Sequence, residues 1–354
     1  MKSKINLALL GCGRVAEHYK KLILNKKIKE ANVIACCDLI KSKAIKMSKE
    51  LNCKFYTESS KMYGENHIDL VLILTESGNH YKNSLEALKF NKNILVEKPI
   101  SLIPKHAYEI DKLANKKRLI VENVFQNRHN PAVEKLYESF KKKKFGKIIN
   151  CSMKLKWHRG QDYYNDGWHG KWSMDGGVIN QQAIHHLDAL NWICGPIAKI
   201  IALKKNIINK LEAEDTLSAL IEFKGGYLGT IEVTTAAKDD FEASISVVGN
   251  KGMATIGGIA LNKIELWKFN NDNLNEKKII KKYSQSVPNG YGLSHITLLN
   301  KVIKNIKNKR KHINIPISEA VKSVELVHSI YSSIEKNKWI FIKDEALSKK
   351  LGRK

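Results

Sequence analysis

The sequence predicts an α/β protein: a doubly wound parallel sheet at the N-terminus, then a second domain of longer strands and helices. Three observations predict it. A glycine-rich turn, Gly11-Cys12-Gly13-Arg14-Val15-Ala16, follows directly on the apolar run Ile5–Leu10. Strand-like and helix-like patterns then alternate as far as Val121. Beyond a helix expected over about 131–143, the chain changes to longer strand patterns separated by turn residues. The domains expected are 1–123 and 124–354.

Each element follows from its residues. The first strand covers 5–10 and is buried. Gly11 permits a tight turn, Gly13 lets a pyrophosphate approach the backbone, and Ala16 lets the next helix pack close to the strand. That helix, running through 17–24, offers its first amides to phosphate oxygens. An ordinary glycine turn before a helix shares this local pattern, so the next strand weighs heavily. Val33-Ile34-Ala35-Cys36-Cys37 ends in Asp38, where the ribose-binding acid of a Rossmann domain belongs. A carboxylate there accepts the ribose hydroxyls and repels a 2′-phosphate. NAD is therefore expected rather than NADP, although Lys41 and Lys43 lie close by.

The alternation continues with a helix over 41–51, a strand at 54–56, a helix near 58–64 and a strand at 70–74. A helix over 80–90, a strand at 93–96, a helix over 104–116 and a strand at 119–121 complete it. Ligands of such sheets bind beyond the carboxyl ends of the strands. Thr75, Glu97-Lys98-Pro99 and Glu122-Asn123 fall at those ends. The cofactor-binding set expected is Gly11, Gly13, Arg14, Val15, Ala16, Asp38, Thr75, His80, Glu97, Lys98 and Asn123, with Trp168 from the second domain.

Composition narrows the class. With 354 residues, 43% of them hydrophobic, the chain can build two cores. Its net charge of +26 admits nucleic acid, an anionic surface or an anionic small molecule as partner. The lysines are spread along the chain, and no stacking aromatics interleave the Lys141-Lys142-Lys143-Lys144 run. That run suits a helix C-terminus, and nucleic acid is not expected as a partner. No stretch approaches the roughly 18 uncharged apolar residues that span a bilayer, so no membrane partner is expected. The N-terminus reads as a strand rather than a signal peptide. The six cysteines, at 12, 36, 37, 53, 151 and 194, lack metal-ligand spacing. No metal is expected, Cys36-Cys37 read as structural thiols, and a reduced, cytoplasmic protein fits best.

Glu97-Lys98-Pro99 after a buried strand, with the G-x-G-x-x-A start and a later glycine-rich histidine segment, resembles the signature of the glucose–fructose oxidoreductase / inositol dehydrogenase / rhizopine catabolism family. Within it, Gln126-Asn127-Arg128-His129-Asn130-Pro131, Gln161-Asp162-Tyr163-Tyr164 and Trp168-His169-Gly170-Lys171-Trp172 resemble segments of bacterial UDP-N-acetylglucosaminuronate 3-dehydrogenases. So do the stretches 175–188 and 257–264. The resemblance implies NAD-dependent oxidation of a nucleotide sugar at C3, serving surface polysaccharide synthesis. It also implies Lys98 and His185 as catalytic residues, 2-oxoglutarate as a recycling oxidant, and a homo-oligomer, dimer or tetramer.

The residues make chemical sense of those roles. Pro99 fixes its own φ and biases Lys98 to an extended shape, aiming the ammonium out at the strand end. A cation there stabilises charge growing on a carbonyl or alkoxide oxygen. Histidine, with an ordinary pKa near about 6.5, suits proton abstraction from a sugar hydroxyl, and His185 opens a helix running to Trp192. His186 faces another way, and Asp188 either orients a histidine or joins a charge network. Many members carry an aspartate four residues before the catalytic histidine; here that position is Gln181, as the nucleotide-sugar branch tends to have. An amide cannot raise the basicity of His185, so Lys98 shares the acid–base role and the identity of the base stays open.

In the second domain, strands are expected at 148–157, 197–205, 216–223, 227–235 and 243–248, with a Lys224-Gly225-Gly226 hairpin turn. The resemblance implies that these strands form an α+β domain with a large, mostly antiparallel open sheet, one face against helices and the other free to pair with a second subunit. The stretch from Arg159 to Trp172 is rich in aromatic and cationic residues that suit a sugar and its anionic groups. The substrate-binding set expected is Lys98, Arg159, Tyr163, Lys171, Gln181, His185 and His295. The helix over 318–336 is expected to pack through Val321, Val324, Leu326, Val327 and Tyr331. Two other readings share the cofactor features: a dehydrogenase of a free polyol such as myo-inositol, and a non-catalytic dinucleotide-binding sugar sensor. The presence of both Lys98 and His185 speaks against the sensor.

Overall fold

Strands and helices alternate through the first 123 residues of the computed structural model, which describes residues 4–269, 275–309 and 313–353. Strands β1 (Ile5–Leu10), β2 (Ala31–Cys37), β3 (Lys54–Tyr56), β4 (Leu70–Ile73), β5 (Asn93–Val96) and β6 (Val121–Asn123) pair in parallel. Their order is β3-β2-β1-β4-β5-β6, so the direction of winding reverses between β1 and β4. Ligands collect outside the carboxyl ends of strands at such a switch point. Helices α1 (Arg14–Leu24), α2 (Lys41–Leu51), α3 (Ser59–Glu65), α4 (His80–Lys89) and α5 (Pro104–Lys117) make the crossovers. The Leu-Val-Leu-Ile run of β4 is buried throughout, as a central parallel strand covered on both faces requires.

The sixth strand departs from expectation. Pairing starts at Val121, two residues later than the apolar pattern at 119–121. Arg118 ends α5 in a left-handed conformation (φ 57°), and the Leu119 amide still bonds back to Ala114. The Ile120 amide donates to the Asn93 side chain, so the ladder takes over only at Val121.

The chain divides into two compact units, residues 1–124 with 295–321, and 125–294 with 322–354. Residues 295–321, left with the second domain in the reading of the sequence, thus pack with the first. The cause is apolar. Helix Ser294–Lys307 carries Leu298, Leu299, Val302 and Ile303 into the core formed by Leu7, Leu9, Tyr19, Leu70 and Leu72.

The second unit is built on eight strands: β7 (Ile148–Lys156), β8 (Ile197–Lys205), β9 (Thr216–Phe223), β10 (Leu228–Thr234), β11 (Glu242–Gly249), β12 (Gly252–Gly257), β13 (Lys263–Phe269) and β14 (Ile340–Phe341). Their order is β13-β12-β11-β7-β10-β9-β8-β14, antiparallel except for β7 with β10. Five strands follow the expected pattern; β12, β13 and β14 lie outside it, because glycines bound β12 and β14 is only two residues long. Helices α6 (Pro131–Lys141), α7 (Gln161–Tyr164), α8 (Val178–Gln181), α9 (Ile184–Cys194) and α10 (Glu276–Tyr283) precede α11, the helix already given as Ser294–Lys307, and α12 (Ile317–Lys336). Helix α9 lies on β7 and β11, and α8 on β9 and β10. Leu217, Ala219, Ile221 and Phe223 of β9 point to the covered face, while Leu220 on the other face is 55% exposed. The five apolar residues expected inside α12 are all buried.

Candidate active site

The glycine turn is shaped by two different demands. Gly11 has φ +94°, and a Cβ there would lie 2.7 Å from the Leu74 carbonyl oxygen, so the fold itself requires glycine. Around a Cβ on Gly13 there would be nothing within 4 Å. That open space lies at the N-cap of α1, where an anion is favoured by the helix dipole. Asp38 stands over the turn: its Oδ2 accepts the Cys12 amide and its Oδ1 the Ile40 amide, both at 2.8 Å. Arg14 is exposed, Val15 half-buried, and Ala16 fully buried against the sheet. Room for a diphosphate beside a tethered carboxylate fits NAD.

The ends of β4, β5 and β6 gather the next expected residues. His80 is buried, with Nδ1 2.7 Å from the Pro99 carbonyl oxygen and Nε2 2.9 Å from that of Thr75. Burial lowers its pKa against the pull of those carbonyls and of Glu97. It ties the loop after β4 to the loop after β5. The Thr75 hydroxyl accepts from Asn83 at 2.8 Å, and Asn123 donates to the Val96 carbonyl at 2.9 Å. Lys98 is half-buried at the end of β5, and the Lys98–Pro99 peptide is cis. Glu122 turns away instead, accepting from the Asn314 and Ile315 amides at 2.9 and 2.6 Å, and burial pushes its carboxyl up to about 7.

Glu97 is the centre of a cluster only partly foreseen. It is 6% exposed, accepts from the Tyr19 hydroxyl at 3.1 Å, and faces His295 Nε2 at 3.7 Å. Burial pushes this carboxyl up, but His295, Lys98 and Tyr19 outweigh it and leave it below the ordinary value. His295 thus belongs to the first unit, 2% exposed, its ring 4.9 Å from that of His18 and 5.5 Å from that of Tyr19. Burial, then His295, holds His18 down to about 4. The signal for His18 and Tyr19 lay in the fingerprint helix, whose sheet-facing side carries polar rings where aliphatic residues are usual.

In the second unit, His185 occupies the first turn of α9, its ring edge-on to Phe125 at 5.8 Å. His186 points elsewhere, as a helix dictates: it is 2% exposed, edge-on to Trp157, and burial lowers it to about 4. Asp188 joins a charge network, taking Arg128 in a two-pronged pair and the Ser323 hydroxyl. Gln181 ends α8 and is buried. Below α8, Glu214 accepts from the Ile179 amide at 3.3 Å and the Tyr331 hydroxyl at 3.0 Å. Burial pushes Glu214 up to about 8.

The aromatic and cationic stretch is ordered by its own contacts. Arg159 bonds Asp240 at 3.0 Å and lies 5.2 Å over the Trp157 ring and 5.9 Å over that of Tyr163. The Tyr163 hydroxyl accepts from Gln182 at 3.3 Å. Trp168 lies on His169, with ring centroids 3.6 Å apart. Lys171 is exposed. Arg159, Tyr163 and Trp168 thus fall in one stretch of the second unit, apart in the chain from His295. Among the described residues no His, Cys, Asp and Glu group could hold a metal ion, and no helix is long and apolar enough to cross a membrane.

Comparison with known proteins agrees with this geometry. The pattern of the oxidoreductase family with an NAD-binding Rossmann fold matches residues 5–125, and that of the GFO/IDH/MocA C-terminal domain matches residues 133–255. The WlbA dehydrogenase of Chromobacterium violaceum, solved with NADH and UDP-GlcNAcA, is 29% identical, with a TM-score of 0.87 over 96% of each chain. That of Bordetella pertussis, solved with the same ligands, is 26% identical, with a TM-score of 0.88 over 96% of this chain and 98% of that one. The inositol 2-dehydrogenase/D-chiro-inositol 3-dehydrogenase of Halalkalibacterium halodurans is 22% identical over 260 residues, 71% of each chain. The chain belongs to the glucose–fructose oxidoreductase / inositol dehydrogenase / rhizopine catabolism (GFO/IDH/MocA) family, as an NAD-dependent sugar dehydrogenase.

Proposed function

We propose that the chain oxidises the C3 hydroxyl of a UDP-linked N-acetylamino sugar, in its glucuronate form, to a 3-oxo sugar for surface polysaccharide synthesis. The observation carrying this is the likeness to two dehydrogenases solved with UDP-GlcNAcA, which extends over nearly the whole chain. When bound, NAD⁺ supplies the hydride acceptor for the carbinol carbon. Lys98, on the rigid end of β5, is assigned to stabilise the charge growing on the C3 oxygen. His185 and Lys98 are the two groups assigned to the hydroxyl proton. Asp188 is not a third, because Arg128 engages both its oxygens. Arg159 is assigned to the anionic groups of the substrate, since Asp240 and two rings already order its guanidinium. Tyr163, Lys171 and Gln181 complete the assigned contacts. A homo-oligomer, and reoxidation of the cofactor by 2-oxoglutarate, belong to the same reading.

The curated relatives favour a second reading, oxidation of a free inositol. Absorbance of NADH with UDP-N-acetylglucosaminuronate, UDP-N-acetylglucosamine and myo-inositol separates the two. The proposal expects reduction with the uronate alone; reduction with inositol alone overturns it.

A further inference from the structure

Asp215, buried and immediately before β9, reaches Arg159 by two hydrogen-bonded routes within the second unit. The first runs through its side chain. Oδ1 accepts the Ile207 amide and the Thr216 hydroxyl, both at 2.9 Å, and Oδ2 accepts the Ile208 and Asn209 amides, both at 3.0 Å. Three successive amides of the loop 206–213, between β8 and β9, thus close on one carboxylate. Burial opposes its charge, but the Asn209, Ile208 and Ile207 amides and the Thr216 hydroxyl outweigh it and hold the carboxyl below its ordinary value. Asn209, placed in this way, donates from Nδ2 to the Arg159 carbonyl at 3.0 Å. The second route is backbone: the Asp215 carbonyl accepts the Thr235 amide, and the Thr235 carbonyl accepts the Arg159 amide, both at 2.8 Å. The peptide groups on both sides of Arg159 are therefore tied to one residue.

The same loop grips the rest of the stretch that Arg159 opens. The Lys210 amide donates to Gln161 Oε1 at 2.6 Å, and Gln161 Nε2 donates to the Lys210 carbonyl at 3.1 Å. The Ala213 amide donates to the Gly170 carbonyl and the Trp172 amide to Glu212 Oε2, both at 3.0 Å. Leu211 fills the space beside Gly170, where an added Cβ would lie 2.7 Å from the Leu211 Cβ. Helix α7, inside the stretch, is four residues long, too short to hold its own shape. The shape of 159–172 is thus imposed from outside, by a loop that Asp215 folds.

We propose that Asp215 is a positioning residue: through the loop 206–213 it sets the place of Arg159 and of the stretch as far as Trp172, and so governs affinity for the anionic sugar rather than the hydride step. This rests on the assignment of Arg159 to the anionic groups of the substrate. A guanidinium binds an anion well only where its fork is already in place, and each link lost between Asp215 and Arg159 loosens that placement.

The test reads amide hydrogen exchange and kinetics in Asp215→Asn, which turns one acceptor oxygen into a donor facing donors. Exchange in peptides covering 206–213 and 159–172 is expected to quicken about tenfold or more beyond any change in α12. The KM for UDP-N-acetylglucosaminuronate is expected to rise about tenfold, with kcat held within about twofold. Asn209→Ala keeps the carboxylate and removes the bond to the Arg159 carbonyl. It too is expected to quicken exchange in 159–172, and it decides the matter should Asp215→Asn fail to fold. Quickening confined to 206–213, quickening of 159–172 no greater than that of α12, or a lower kcat at unchanged KM overturns the proposal. Exchange needs no sugar. A wild type that leaves the uronate unoxidised, while 159–172 responds to the variants, refutes the substrate assignment and supports the positioning role.

Discussion

Arg128 and Asp188 meet as a two-pronged buried pair, Nε to Oδ2 at 2.8 Å and Nη2 to Oδ1 at 2.7 Å, with the Ser323 hydroxyl adding a third donor at 2.9 Å. The pair holds the turn Gln126–His129 against α9. Removing one partner strands the other charge in the interior. Asp188→Asn is expected to lower unfolding stability by about 3–5 kcal/mol, and Arg128→Met with Asp188→Leu to recover most of that. Urea midpoints measure both. Since Asp188 is a structural partner, the midpoint of the kcat–pH profile stays unchanged in Asp188→Asn; a shift of about a unit would make it an orienting residue for His185.

The two glycines of the turn separate folding from cofactor binding. Gly11→Ala places a Cβ 2.7 Å from Leu74 backbone at a positive φ, and is expected to lower the melting temperature. Gly13→Ala meets no protein atom within 4 Å. Its melting temperature without NAD is expected to match wild type, while the NAD Kd rises about tenfold. Calorimetry with and without NAD reads both effects.

Much of this site was legible because it is local. The glycine turn, Asp38 at the end of β2 and Glu97-Lys98-Pro99 at the end of β5 are each written within a few residues of their strands. The glycine pair and polar turn before His185 also marked the start of its helix. What escaped is pairing across sequence: Glu97 with His295, Arg128 with Asp188, and Glu214 with Tyr331. Nothing in a local apolar pattern says which distant segment completes a core. For the same reason the return of α11 to the first unit is visible only through Leu298, Leu299, Val302 and Ile303.

Asp38 binds the turn, and we propose that it also selects the cofactor. Its oxygens hold the Cys12 and Ile40 amides, so Asp38→Ser, which keeps one acceptor, is the gentler variant. Loss of the charge removes the repulsion of a 2′-phosphate. The NAD-over-NADP affinity ratio is expected to fall about tenfold, roughly 1.4 kcal/mol. An unchanged ratio in fluorescence titration would rule Asp38 out as the selector.

Glu214 makes stability depend on pH. Burial pushes it up from an ordinary 4.5 to about 8, outweighing the Ile179 amide, the Tyr331 hydroxyl and Lys204, with Asp215 adding to the rise. The folded chain therefore holds a proton that the unfolded chain has lost between those values. The stability this proton confers is complete below the ordinary value and falls away as pH rises through about 8. Glu214→Gln lacks that decline. Relative to the variant, wild type is expected to lose stability between about pH 5 and about pH 9 in urea titrations. Glu122 titrates upward as well, but it is common to both proteins and cancels in the difference. A difference that instead grows in favour of wild type would contradict the buried, protonated state.

We propose oxidation at C3 of a UDP-linked uronate, with the hydroxyl proton assigned to Lys98 and His185. Its most direct measurement is the mass of NADH formed from UDP-N-acetylglucosaminuronate deuterated at C3. Deuterium is expected in the NADH, and no NADH is expected from Lys98→Met although that variant still binds NAD. Unlabelled NADH from the same sugar, or full activity in Lys98→Met, would contradict it.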